Sequence, residues 1–156
     1  MKYRKIENGI FLSRPNRFVA HVLIHGEEHI VHVKNTGRCR EILQPGVRAY
    51  LEDFEGDIRS RKTRYSLVAA EKPDKEQKSG YRLINIDSQA PNKAVEEALA
   101  SGTIELPGFE DGISLIKAEQ CFGSSRFDFY LEGYNGQKAF IEVKGVTLED
   151  HGVVRF

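Results

Sequence analysis

From residue 16 to residue 87 apolar and polar residues alternate in short runs separated by turn-forming residues. Alternation with a period of two is the signature of half-buried strands. The runs fall at 16–25, 29–34, 47–54, 65–71 and 81–87, with a turn at Gly26-Glu27-Glu28 between the first two. The polar stretch 72–80 has the composition of a linker, but strands flank it so closely that a long exposed hairpin is expected instead. Five strands at this spacing predict a small OB-like β-barrel over residues 1–87, a type whose open face commonly holds nucleic acid. The period then changes. Residues 91–101 carry an apolar stripe of Ala94, Val95, Ala98 and Leu99 at helical spacing, opened by Pro91 and stopped by Gly102. A strand at 114–121 and a hairpin of two acidic segments follow, so residues 88–156 form a second domain and the chain is of mixed α+β class.

The hairpin carries the chemistry. Its arms are Ser125-Arg126-Phe127-Asp128-Phe129 and Ile141-Glu142-Val143-Lys144-Gly145. Glu142 and Lys144 are two residues apart and share a strand face, with Ile141 and Val143 on the other. A three-residue loop of Tyr134, Asn135 and Gly136, with Gly136 left-handed, sets Asp128 opposite Glu142. A two-residue Asn135-Gly136 turn sets Asp128 opposite Val143 instead and sends the carboxylates to opposite faces. Two carboxylates on one side suit an octahedral, oxygen-seeking cation such as Mg²⁺ or Mn²⁺, and a lysine beside them orients water and counters charge on a phosphodiester. An isolated match of this kind is more often a solvated ion pair. Here Phe127, Phe129, Leu131, Phe140, Ile141 and Val143 surround the charges, and both arms read as central strands where an unpaired carboxylate is costly. Glu119 lies on the neighbouring strand as a further acid. Glu96 and Glu97 flank the helix stripe at similar angles, and geometry alone does not choose between them.

Net charge is zero, yet residues 1–70 hold 13 Lys and Arg against 8 Asp and Glu, while residues 71–156 hold 10 against 15. A basic lobe beside an acidic one fits a protein that holds a polyanion in one place and acts on it in another. Arg14, Arg17, Lys34, Arg38, Arg40, Arg61, Lys62 and Arg64 recur near strand ends of the barrel, and Asn35-Thr36-Gly37-Arg38 offers backbone amides and a guanidinium to phosphate. No base-reading helix-turn-helix pattern is present, so double-stranded DNA bound with little sequence preference is the expected partner. No apolar run reaches membrane-spanning length and the N-terminus has no secretory pattern, so a cytoplasmic location without membrane association is expected. Cys39 and Cys121 are far apart and read as reduced buried thiols. His21, His25, His29 and His32 cluster around the first hairpin without the carboxylate or cysteine spacing of a closed zinc site, and are expected to face solvent.

Taken together, Arg17-Phe18, Asn35-Thr36-Gly37, Pro45-Gly46, Arg61-Lys62, Asn85-Ile86-Asp87, Asn92, Glu97-Ala98-Leu99 and the two hairpin arms with Val146-Thr147-Leu148 resemble the sugar fermentation stimulation protein A family. The resemblance implies an N-terminal OB-like domain, a domain similar to the PD-(D/E)xK nucleases, DNA binding and a link to sugar utilisation. It maps the nuclease-like motif onto Asp128, Glu142 and Lys144, favours Glu97 as the helix acid, and matches Glu119 to an acidic position beside the metal. Family members continue well past the equivalent of Phe156, which makes this chain resemble a fragment. A sheet ending after its metal-bearing hairpin leaves an edge and an apolar face for self-association, including a homodimer. The competing expectations are an active Mg²⁺- or Mn²⁺-dependent endonuclease that hydrolyses phosphodiesters, and a non-catalytic partner-binding module whose acidic site is vestigial.

Overall fold

The computed structural model describes residues 1–55, 61–150 and 153–154. The chain divides into two compact units, Lys2–Ser88 with Val146–Phe156, and Gln89–Gly145 with Met1.

In the first unit six strands, β1 (Lys5–Asn16), β2 (Val19–Ile24), β3 (Glu27–Val33), β4 (Arg48–Asp53), β5 (Tyr65–Pro73) and β6 (Tyr81–Asn85), pair in the order β3-β2-β1-β4-β5-β6. A parallel pairing of His32 with Ser66 and Val33 with Leu67 also joins β3 to β5, so the ladder of β1 to β5 returns on itself. The enclosed core is built from alternate residues of each strand, among them Phe11, Ala20, Val22, Val31, Val33, Ala49 and Leu51. β5 departs from alternation: every residue from Tyr65 to Ala70 is buried, since it has partners on both edges and packing on both faces.

Two features differ from the sequence reading. The strand expected at 16–25 is the turn after β1 followed by β2, and β1 itself was not anticipated, because Asn8-Gly9 and Pro15-Asn16 look like breakers. Gly9 sits in β1 for a packing reason: a Cβ there would lie 2.5 Å from Val22 Cγ1 and 2.8 Å from the Leu23 carbonyl oxygen. The first hairpin also turns on two residues rather than on 26–28. Ile24 pairs with Glu27 across His25 (φ 51°) and Gly26 (φ 87°), the left-handed pair of a tight hairpin turn.

Charged side chains lock the ends of these strands. Asp53, its side chain fully covered, accepts two bonds from Arg64, at 2.8 and 2.7 Å, and one from the Glu55 amide. Arg64 holds the Asp53 carboxyl below the usual carboxylate range. A lowered folded pKa stabilises the fold above the unfolded value near 3.8, and that contribution is lost as pH falls through the folded value. Thermal unfolding followed across the acid range is therefore expected to show a drop in Tm below about pH 4 that is shallower in Asp53→Asn. An unchanged acid limb in that variant would place the titrating group elsewhere.

The second unit has helix α1 (Ala90–Ala100) and a three-stranded antiparallel sheet, β7 (Ile113–Phe122), β8 (Ser125–Gly133) and β9 (Lys138–Ile141), in the order β7-β8-β9. Leu99 and Val95 of the helix stripe meet Phe109, Phe129, Leu131, Ile113 and Ile141 in the core. Only β8 is central. β9 is an edge strand among the described residues, because the acidic segment that follows it is not paired as a strand. Two short strands, β10 (Glu149–Asp150) and β11 (Val153–Val154), form a separate ribbon that the sequence pattern did not indicate. The described residues are thus mostly β with one α-helix, and among them no helix is long and apolar enough to cross a membrane.

Candidate functional site

The last part of β1 and the segments that hold Arg17 and residues 36–45 line an open hollow of about 710 Å³ whose lining includes Leu12, Arg14, Arg17, Arg38, Arg40 and Leu43. Arg14 builds it. Its guanidinium donates to five backbone carbonyls: Nε to Asn16 (3.3 Å), Nη1 to Gly37 (2.6 Å) and Arg38 (3.1 Å), and Nη2 to Arg17 (2.7 Å) and Asn35 (2.6 Å). The side-chain oxygen of Asn35 accepts from the Gly37 amide, closing an Asx turn on the same loop. Arg14 thus spends its donors on the scaffold, whereas Arg17, Arg38 and Arg40 are exposed and have no carboxylate partner among the described residues. Below this loop Cys39 is buried, with φ at 47°, and burial pushes its thiol pKa up. Cys121, expected to be buried, is exposed.

The other predicted phosphate contacts divide in the same way. Lys34 is nearly covered and bonds Asp87 at 2.6 Å, with Glu52 at 3.9 Å. Arg64 is committed to Asp53 and Glu55. Arg61 lies over the Phe54 ring at 3.6 Å and donates to Ser66 Oγ. Lys62 is exposed. Sequence reading could not separate these classes, because the partners that consume Lys34 and Arg64 come from other strands. Of the histidines, His21 pairs with Glu28 and His25 with Glu7. Among the described residues no three His, Cys, Asp or Glu side chains are gathered closely enough to hold a metal by themselves.

In the second unit the hairpin closes by the three-residue loop. Gly133 N donates to Gln137 O at 2.8 Å, Gly136 N to Gly133 O at 3.0 Å, and Gly136 has φ 82°. Phe129 pairs with Ile141, the register that the longer loop sets, and the paired ladder ends there, one residue before Glu142. Asp128 is half-buried and doubly anchored: Oδ2 accepts from the Val143 amide and Oδ1 from Asn92 Nδ2, both at 2.7 Å. Glu142 is exposed, and Lys144 Nζ donates to its Oε1 at 2.5 Å. The hydrogen bond to Glu142, with the charge of Asp128 adding to it, raises the pKa of Lys144. Gly145 follows because the chain passes close to the helix start, where a Cβ would sit 2.7 Å from Pro91 Cγ.

Two further acids assigned to this site from the sequence bond other groups. Glu97 is exposed and ion-paired with the Met1 ammonium, and the helix side chain that reaches Asp128 is Asn92, one turn earlier. Glu119 has φ 54°, interrupts the β7–β8 ladder between Gln120↔Phe127 and Ala118↔Phe129, and bonds Arg126 at 2.6 Å. The sequence signal for Asn92 is a polar residue in the first helical turn directly after Pro91.

Comparison with known proteins covers both units. Residues 12–88 match the family model described as SfsA N-terminal OB domain, and residues 89–156 that of the sugar fermentation stimulation protein RE domain. A sugar fermentation stimulation protein homolog of Alkaliphilus oremlandii is 52% identical over 159 residues, covering 100% of this chain and 63% of the relative. One from Desulfitobacterium hafniense is 53% identical over 156 residues, covering 100% of this chain and 61% of the relative. The chain therefore spans about three fifths of the length of the curated relatives it matches. The solved structure of Pyrococcus furiosus SfsA in complex with Ca²⁺ superposes with a TM-score of 0.75 at 31% identity, over 96% of this chain and 58% of that one.

Proposed function

The chain belongs to the sugar fermentation stimulation protein family, and on that premise we propose that it is a cytoplasmic DNA-binding protein with a nuclease-like divalent-metal site. The observation that carries the DNA reading is the set of exposed guanidinium groups of Arg17, Arg38 and Arg40 around one hollow, unneutralised by any described carboxylate. Charge of this kind contacts phosphates whatever the sequence, so duplex DNA is bound without strong preference. Lys62 is exposed as a further contact, whereas Arg14, Lys34 and Arg64 serve the fold.

The donor set of the second unit fits a hard cation. Asp128 on β8 and Glu142, the residue after β9, supply two carboxylates, each Asp128 oxygen accepts one bond and retains a lone pair, and a site of two carboxylates leaves room for water and phosphate. Ca²⁺ in the Pyrococcus furiosus relative supports a divalent ion here, and Mg²⁺ or Mn²⁺ suits the same oxygens. When bound, the ion would act as a Lewis acid toward a phosphodiester. Asn92 and the Val143 amide fix the Asp128 carboxylate, and Lys144 orients water and counters charge on phosphate. Lys144, bonded to Glu142 within the motif, favours strand hydrolysis as the use of this site.

One experiment tests both halves: Mn²⁺ is titrated into the chain with end-labelled duplex present, at a series of salt concentrations. Retention is expected to fall steeply as salt rises. Cleavage is expected with Mn²⁺ and lost in Lys144→Ala at nearly unchanged DNA affinity. Salt-indifferent affinity would remove the phosphate interface, and cleavage that survives in the variant would remove Lys144 from the chemistry.

A further inference from the structure

The arginine-lined hollow is of mixed character. Its exposed lining includes Arg17, Arg38, Arg40 and Pro45, its covered lining includes Phe11 and Leu43, and Leu12 is half-buried. Phosphates account for the arginines alone. A duplex presents its backbone outward and keeps its bases stacked, so it brings nothing apolar to a recess of about 710 Å³. An unstacked nucleotide brings both parts at once, a flat base for the apolar lining and a phosphate for the guanidinium groups. Beside the hollow, in the β1–β2 turn, Phe18 is 49% exposed and carries the Arg17 guanidinium over its ring at 4.9 Å. An exposed ring joined to a basic groove is the arrangement on which bases of single strands stack.

We infer that this hollow binds an unpaired nucleotide of a single-stranded segment, its base against Leu12 and Leu43, its phosphates among Arg17, Arg38 and Arg40, and the neighbouring base on Phe18. The inference rests on the DNA-binding reading and narrows it to unpaired strands at this place. The Asx turn at Asn35 and the five bonds of Arg14 hold the lining in place before a ligand arrives, which limits the ordering cost of binding.

Fluorescence anisotropy with a labelled oligothymidine strand and a duplex of equal length, at one salt concentration, tests it on the whole chain. The strand is expected to bind about tenfold more tightly than the duplex, and Phe18→Ala to weaken the strand alone by about tenfold. Phe18→Leu keeps the apolar bulk without an aromatic face and is expected to behave like Phe18→Ala, while Phe18→Tyr retains wild-type affinity. Thymidine monophosphate is expected to compete only at millimolar concentration; competition as strong as that of the strand would assign the hollow to free nucleotides and overturn the strand assignment. Equal salt-dependent affinity for strand and duplex, or equal loss of both in the Phe18 variants, would overturn the inference and leave DNA binding intact. Retention of neither nucleic acid at low salt would overturn both.

Discussion

Arg14→Ala is expected to lower the unfolding free energy by about 2–3 kcal/mol and to abolish nucleic-acid retention. The first effect follows from five bonds lost together, which tie the end of β1 and the following turn to the loop through Asn35, Gly37 and Arg38. Bonds from a charged donor exceed neutral ones, but the freed carbonyls lie near the surface and regain water, so the net loss is well below the sum of five. The second effect follows because Arg17 and Arg38 stand on the segments that Arg14 joins. Arg14→Lys separates geometry from charge: an ammonium keeps the charge but cannot span carbonyls placed around a planar fork. Urea unfolding and anisotropy on both variants provide the check. A lysine variant as stable and as retentive as the parent would make Arg14 a simple surface cation.

The arginines show where sequence reading stops. Their clustering near strand ends was visible along the chain, and four of the eight named candidates line one hollow. What each does was not visible, because Arg14 is spent on carbonyls of a loop about twenty residues away and Lys34 on Asp87, 53 residues on. Such partners are set by strand order, and that order depends on β1, which Gly9 and Pro15 hid. The strands β4, β5 and β6, by contrast, were legible within a residue or two, since their apolar runs are bounded by unmistakable turns. The last hairpin was the most legible feature. Its loop carries Gly136 where a left-handed residue is needed, and that fixes the register of the ladder from Glu132↔Lys138 to Phe129↔Ile141. Glu119 defied the pattern through a left-handed backbone that alternation does not encode.

Divalent-metal affinity is expected to fall by about 100-fold in Asp128→Asn with little change in fold. Asp128 holds two donors, the Val143 amide and Asn92 Nδ2, and an asparagine at this position keeps an oxygen for the amide while losing the charge a cation needs. Asp128→Ala leaves the Val143 amide without its partner and should also cost about 1–3 kcal/mol of stability. The finer test concerns the helix. Asn92 fixes the carboxylate without contributing charge, so Asn92→Ala is expected to weaken binding by about tenfold, in the range for a residue that orients a ligand. Glu97 pairs with the Met1 ammonium, and Glu97→Ala is expected to leave affinity unchanged. Calorimetric titration of Mn²⁺ and Ca²⁺ into the variants distinguishes the two. If Glu97→Ala lost affinity while Asn92→Ala did not, the helix contribution would return to the acid that the family resemblance favours; if Asp128→Asn bound as the parent does, the cation would sit elsewhere.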